Sequence, residues 1–428
     1  MWKNWRIRRK IIVMFTILLI ASNLILFGVF SSFYLIQTPH DADRKSNGNT
    51  LIATASFIGM LDTLSRRNTQ NPVVPNQSDD KIIEVNPQGR IVWEYKGLGV
   101  PHEICELPNG HLLVADTEFD RIIEIDYPQK HIVWSWEPAE INWTEVNPEW
   151  GPDHYYNNPL AYDWTHVNDV DIKDYGNWTG CLISLRNFDL IVEVNYTADF
   201  LDPNNPKHII WWYGDYENYT CQRRQHNPDY LSNGNIIVSD SGNNRIIEVN
   251  YTIKKIVWKY EGLSWPRDAD ELPNGNILIT DSIGSRVIEI TKDTKQIVWS
   301  HSQDFLIPYE ADLLDNGHIL ISTAYNGLII EVNRAGFIVW SYGISYIRSL
   351  LYMNAFILIG LSSLVLYYKS KYMKKFSSFT RKQKIVNMII AILFTSFLII
   401  GVLLLIFYSQ FLAYLVNIVY NIFGVDLF

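Results

Sequence analysis

The chain has 428 residues, 48% of them hydrophobic and 14% aromatic, with a formal net charge of −9. Residues 40–343 hold 23 lysines and arginines against 44 aspartates and glutamates, a formal −21, which excludes a nucleic-acid partner because such a partner needs a basic face. The three cysteines, Cys105, Cys181 and Cys221, exclude a disulfide framework and allow at most one pair, for which Cys181 with Cys221 is the expected choice.

The chain opens on a basic segment, residues 1–10, followed by residues 11–36, which carry no charge over 26 positions. Such a run is long enough to cross a bilayer core of roughly 30 Å. Residues 347–368 and 385–409 are similarly apolar and flank a second basic segment, residues 369–384. The reading is three transmembrane helices, one before and two after residues 37–343, with both basic segments in the cytoplasm. Residues 37–343 then lie on the extracytoplasmic side of the cell membrane, and a cleaved secretory signal at the N-terminus would export them equally. An apolar tail, residues 410–428, closes the chain. Six N-x-S/T sequons, at Asn76, Asn142, Asn177, Asn195, Asn218 and Asn250, suit a glycosylated outer surface.

Within the exported region a single phrase returns six times, as RIVWEY, HIVWSW, HIIWWY, KIVWKY, QIVWSH and FIVWSY, with Trp at 93, 134, 211, 258, 299 and 340. Before each lies a second alternating phrase of the type RIIEVN, and before that a third of the type GNIIVSD, introduced by turns such as LPNG and LSNG. Alternation of apolar and polar residues is the period of half-buried strands. With a short strand A leading into each turn, the unit has four strands, A to D. Repeated six times, it predicts an all-β six-bladed β-propeller ectodomain, since one unit alone cannot bury its apolar faces. No strand is borrowed from the far terminus, so the ring is expected to close by packing alone. Three blades carry an Asp at the end of strand B and an Arg five positions later: Asp116 and Arg121, Asp240 and Arg245, Asp281 and Arg286. These read as structural pairs.

The six A strands open with PHDADR, PHEICE, THVNDV, QHNPDY, PRDADE and PYEADL, so one column reads His40, His102, His166, His226, Arg267 and Tyr309. A strands line the central channel of a propeller, and six side chains from six blades can therefore converge at its mouth. A histidine that closes a turn is the bland alternative, and Arg and Tyr at equivalent places argue against it. A metal at this ring is also argued against, because Arg267 sets a permanent positive charge there that repels a cation and attracts an anion. No metal and no cofactor are expected.

The stretches PHEICELPNGHLLV, DWTHVNDVDI followed by LISLRN, and RQHNPDYLSNGNIIVSDSGN resemble the histidine motifs of the PAPS-independent arylsulfotransferase family, over roughly residues 90–300. The resemblance implies a propeller that carries a sulfuryl group on a histidine, with His226 as the nucleophile. It also implies that His102, His166, Asn168 and Arg186 hold the sulfuryl oxygens or protonate the leaving phenolate. His40, Arg267 and Tyr309 are added from the column as substrate-binding residues. Asn227 stands where the family pattern has Asp, and the N-terminal domain of the secreted bacterial enzymes has no counterpart here. SDSGNNRIIEVN is also similar to NHL-type repeats, which leaves a surface binding or sensor module as the alternative function.

In an up-and-down blade the start of A and the end of B share a face, so the histidine column and Arg186 are expected on one side. The insertions at 57–80 and 137–163 are expected there too, the second, aromatic-rich, as a pocket wall or a lipid contact. Short tethers at both ends then turn the histidine mouth toward the bilayer. The expected partners are the lipid bilayer and an aryl sulfate-like or amphiphilic small molecule.

Overall fold

The computed structural model describes residues 37–56, 80–150, 163–197, 209–215, 218–302 and 307–343. The chain divides into a unit of residues 36–343 and a second unit made of residues 1–35 and 344–428. The three apolar spans, the basic segments, the tail and most of the two insertions lie outside the described residues. Among the described residues no helix is long and apolar enough to cross a membrane.

Residues 37–343 form six four-stranded antiparallel sheets, each of four consecutive strands in sequence order. Blade one runs from strand A at Gln37–Arg44 to strand D at Ile91–Leu98, and blade six from Glu310–Leu313 to Ile338–Gly343. Alternation places the middle strands at the core. Strand B of blade four (Ile236–Asp240) is buried throughout, while strand D (Lys255–Glu261) alternates between exposed and half-buried. The apolar clusters lie between blades: Leu51 and Ile82 of blade one pack with Ile104, Leu112 and Ile123 of blade two.

Two polar devices cross these interfaces. Trp93 Nε1 donates to the carbonyl of Tyr127 in the next blade at 3.0 Å, Trp211 to Tyr251 at 2.7 Å, Trp258 to Lys292 and Trp299 to Arg334 at 3.0 Å each. In the RIIEVN phrase, each glutamate is buried and reaches a side chain of the next blade. Glu84 accepts from Tyr127, Glu124 from Tyr196 and Glu193 from Tyr251, while Glu248 pairs with Lys292 and Glu289 with Arg334. The asparagines of the A–B turns bond the same glutamates, as Asn235 Nδ2 does Glu248 at 2.6 Å and Asn276 Nδ2 does Glu289 at 2.6 Å.

The seam between blades six and one carries the same devices, so the ring closes by more than packing. Trp340 Nε1 donates to Pro87 O at 2.9 Å, Arg44 pairs with Glu331 at 3.0 Å, and Ser322 Oγ donates to His40 O at 2.7 Å. The expected absence of a borrowed strand holds, because all four strands of blade one are local. The three Asp–Arg pairs are formed at 2.6–2.7 Å, and each aspartate also accepts a backbone N–H from the preceding loop, Gly99, Arg223 or Ser264.

Two expectations change. All three cysteines are free: Cys105 packs beside the buried Cys181, and Cys221 lies against a different cluster, so the fold does not bring Cys181 to Cys221 as a disulfide. In the described portion of the aromatic insertion, Trp143 and Trp150 are fully buried against Trp136 and Phe188. These two rings complete a core between blades two and three and do not wall a pocket or meet lipid.

Trp340→Phe keeps the ring at the seam but removes its donor, and should lower unfolding free energy by about 1 kcal/mol. Glu331→Ala, which strands Arg44 and the A–B turn, should cost about 1–3 kcal/mol. Urea denaturation of the full chain measures both; unchanged midpoints would show that the seam rests on packing.

Candidate active site

The column converges. The rings of His40 and His102 stack with centroids 4.5 Å apart, His102 meets His166 edge-on at 5.0 Å, and His40 meets Tyr309 at 4.7 Å. On the other side, Arg267 lies over the Tyr309 ring at 4.1 Å and sets Nη1 at 2.9 Å from His226 Nε2. Every member of this six-residue ring is buried, with His226 wholly so.

Its geometry comes from a repeated backbone defect. The A–B register shifts between Pro39 and Asp41, Pro101 and Glu103, and Pro266 and Asp268, leaving His40, His102 and Arg267 each as an extra residue. Blade four has its shift between His226 and Asp229, and in blade three Asn168 is the unpaired residue. A bulge bends the strand and re-aims side chains at its edge, here into the channel mouth. His166 itself precedes strand A and adopts φ +51°, and Asn227 adopts φ +37°.

The loops before the column are held from the preceding blade. Asp120, left-handed at the B–C turn of blade two, accepts N–H groups from Trp164, Thr165 and His166. Asp189 does so for Arg224, two residues before His226, and Asn244 for Trp265, two before Arg267. Arg186 follows strand B of blade three: its N–H bonds His166 O at 3.2 Å, and Asn187 N–H bonds Thr165 O at 2.9 Å. The LRN motif and the histidine motif are thus two sides of one junction, with the Arg186 side chain 1% exposed.

Hydrogen bonds set the imidazole tautomers. His226 Nδ1 lies 2.8 Å from Ser241 Oγ and 3.2 Å from Arg224 O, and Ser241 itself donates to Pro266 O. Acceptors on that side require a proton on Nδ1, which leaves the lone pair of Nε2 facing Arg267. His102 follows the same pattern, with Nδ1 at 2.9 Å from Val100 O and 2.8 Å from Thr117 Oγ1. His166 Nδ1 meets Asp163 Oδ1 at 2.6 Å.

Burial and positive neighbours keep His40, His102 and His226 neutral. Burial first, then the charges of Arg267 and Arg186, holds His226 well below the usual imidazole range. Burial and Arg267 lower His40 to about 3, and burial with His40 and His166 lowers His102. A protonated His102 as general acid therefore does not fit; the Asp163-backed His166 is the better proton carrier. Asn168 uses one of its two Nδ2 hydrogens on Gln225 O at 3.0 Å, beside His226, which braces the strand and leaves the second hydrogen. Asn227 lines the channel below the ring.

Asp163, Thr117 and Ser241 also touch the ring, and none of them stands in the histidine column of the sequence. Thr117 and Ser241 each follow the aspartate ending strand B, fifteen residues after the histidine they contact, a spacing repeated in blades two and four. Asp163, three residues before His166, carries no such repeat.

The channel mouth of the six-bladed propeller thus gathers four histidines, two arginines and a tyrosine, a set of donors with the chemistry to meet an anion. Residues 96–226 match the family model described as Arylsulfotransferase (ASST), a span that includes His102, His166, Asn168, Arg186 and His226. The arylsulfotransferase resemblance is thereby shown for this span; it supports an arylsulfotransferase-like enzyme and sulfuryl transfer in general. No curated protein matches the chain. Among solved structures, a streptogramin B lyase is 12% identical with a TM-score of 0.46, covering 72% of this chain and 83% of that one. A virginiamycin B lyase from Staphylococcus aureus is 12% identical at 0.45, covering 72% and 84%, and a protein of unknown function from Bacteroides caccae is 14% identical at 0.44, covering 61% and 89%.

Arg267→Gln removes the nearest positive charge from His226, so its imidazole should protonate at a higher pH than in the parent. The pH profile of His226 modification by diethyl pyrocarbonate, followed by peptide mass spectrometry, should then shift upward, with burial still holding it below about 6.5. An unmoved profile would contradict the pairing.

Proposed function

We propose that the protein is a membrane-anchored extracytoplasmic sulfotransferase. It moves a sulfuryl group from an aryl sulfate-like donor to a phenolic or amphiphilic acceptor through a sulfohistidine at His226. The observation that carries this reading is the His226 Nε2 lone pair, fixed by the Ser241 contact at Nδ1 and facing Arg267 at 2.9 Å.

In the first step Arg267 turns its N–H from Nε2 to the sulfuryl oxygens, the freed lone pair attacks sulfur, an N–S bond forms, and the S–O bond to the aryl oxygen breaks. The leaving phenolate takes a proton from His166, whose Nδ1 side is backed by Asp163. In the second step the acceptor oxygen attacks sulfur, its proton passes to His166, and the N–S electrons return to Nε2. Such transfer passes through a loose transition state with charge on the outer oxygens, so positioning and fixed positive charge do most of the work. Arg186 and Arg267 supply that charge, and Tyr309 OH, buried and without a hydrogen-bond partner among the described residues, is a donor for a sulfuryl oxygen. Splitting one transfer into two steps stores the group on the protein between donor and acceptor.

The bilayer location rests on the apolar segments at both ends.

Incubation of the full chain with a chromogenic aryl sulfate should leave an acid-labile sulfuryl adduct on the His226 peptide, absent in His226→Asn. Across several donors, no adduct on the parent would leave a binding module as the better description. Arg186→Gln should lower kcat by about 10²–10³-fold, as loss of a transition-state oxyanion donor does. Flexible linkers inserted at both tethers should lower activity on lipid-like acceptors and spare soluble ones; equal losses on both would sink the membrane-facing orientation.

A further inference from the structure

Below the histidine ring the channel changes sign. Because the bulges insert one residue, consecutive positions such as His40 and Asp41, or His102 and Glu103, both come to face the channel. Pairing with strand B sorts the carboxylates into two tiers. Asp41, Glu103, Asp169, Asp268 and Glu310 sit opposite Ala53, Ala115, Ser184, Thr280 and Ser322, equivalent positions in five blades. Two residues further along, Asp43, Asp171, Asp229, Asp270 and Asp312 sit opposite Leu51, Leu182, Ile237, Leu278 and Leu320. The first tier lacks a carboxylate in blade four and the second in blade two, where Cys105 stands.

Nine of these ten carboxylates, all but Asp41, line a cavity of about 330 Å³. Ligand atoms of the lining residues Glu103 and Glu310 lie within 4.8 Å of each other and of the buried Asp41, and those of Asp229, Asp268 and Asp270 lie within 4.8 Å of one another. Arg44, the cation among the wall residues, is paired with Glu331. A second, independent observation is a buried oxygen that faces no donor among the described residues: Asp169 lines the cavity, is 3% exposed and has an unpartnered Oδ2. A buried carboxylate oxygen without a hydrogen-bond partner is costly unless a cation meets it.

The geometry points to a divalent-cation site of the calcium type inside the propeller channel, held by the two carboxylate triads. Three carboxylates per triad more than offset a double positive charge, and ligands fanned around a channel by separate blades suit the six to eight oxygens and loose geometry of Ca²⁺ better than the strict octahedron of Mg²⁺. The fixed charge of Arg267 at the mouth repels a cation, so the anion site and this one occupy successive levels of one channel. The inference stands whether or not sulfuryl transfer does.

The test uses the purified full chain, stripped with a chelator and held at constant ionic strength. Calcium alone should raise the melting midpoint progressively up to ~1 mM, the range of weak extracellular calcium modules, and magnesium should raise it less. Elemental analysis after buffer exchange should find calcium at one or more ions per chain. The double variant Asp268→Asn/Asp270→Asn should lose the response, yet in chelator melt at or above the parent, because repulsion has been removed. If it fails to fold, Glu103→Gln/Glu310→Gln, which disables the other triad, carries the same comparison. A parent midpoint indifferent to Ca²⁺, or a double variant as responsive as the parent, overturns the site; an equal response to Mg²⁺ overturns the calcium assignment.

Discussion

The structure depends on the glutamate of each RIIEVN phrase. Each is buried, each binds the A–B turn or strand A side of its own blade, and each reaches a tyrosine, lysine or arginine of the next. A buried carboxylate is tolerated only when paired and hydrogen-bonded, so the six glutamates tie blade to blade as strictly as the apolar clusters do. The tryptophan donors run beside them, and at the seam Trp340 and Glu331 repeat the arrangement with Pro87 and Arg44. The ring is thereby held at fixed blade spacing, which is what a site assembled from six blades needs.

That spacing passes directly to the chemistry. Asp120, Asp189 and Asn244 each hold, from one blade, the loop that presents His166, His226 or Arg267 in the next. The histidines are therefore positioned by their neighbours' turns, and the bulges turn them inward. The neutral state of His226 follows from burial beside Arg267 and Arg186. Neutral imidazole with a defined tautomer is what nucleophilic attack requires, and nearby guanidinium groups are what a sulfuryl oxyanion requires.

Much of this was legible in the sequence because repetition exposes it. Six copies of one phrase reveal strand periods, and the column His40, His102, His166, His226, Arg267, Tyr309 stands out only when the units are stacked. The bulges were not legible, since a one-residue insertion leaves no mark in alternation; yet they decide that His40 and Asp41 share the channel. The carboxylate tiers were visible as letters in PHDADR and PRDADE, but alternation alone, which keeps Asp41 and Asp43 on one face, would send His40 to the other. Contacts such as Asp163 with His166 depend on a single loop and have no repeat to betray them. The aromatic insertion misled for a related reason: a cluster of tryptophans reads equally as a surface or a core, and Trp143 and Trp150 proved to be core.

The central claim is that His226 takes the sulfuryl group before any acceptor is present. Rapid mixing of the full chain with para-nitrophenyl sulfate, without acceptor, tests it by the amplitude of phenolate release. The account predicts a burst of one equivalent per chain followed by near arrest, abolished in His226→Asn. Release that needs the acceptor from the first turnover, or a burst that survives in His226→Asn, would contradict it.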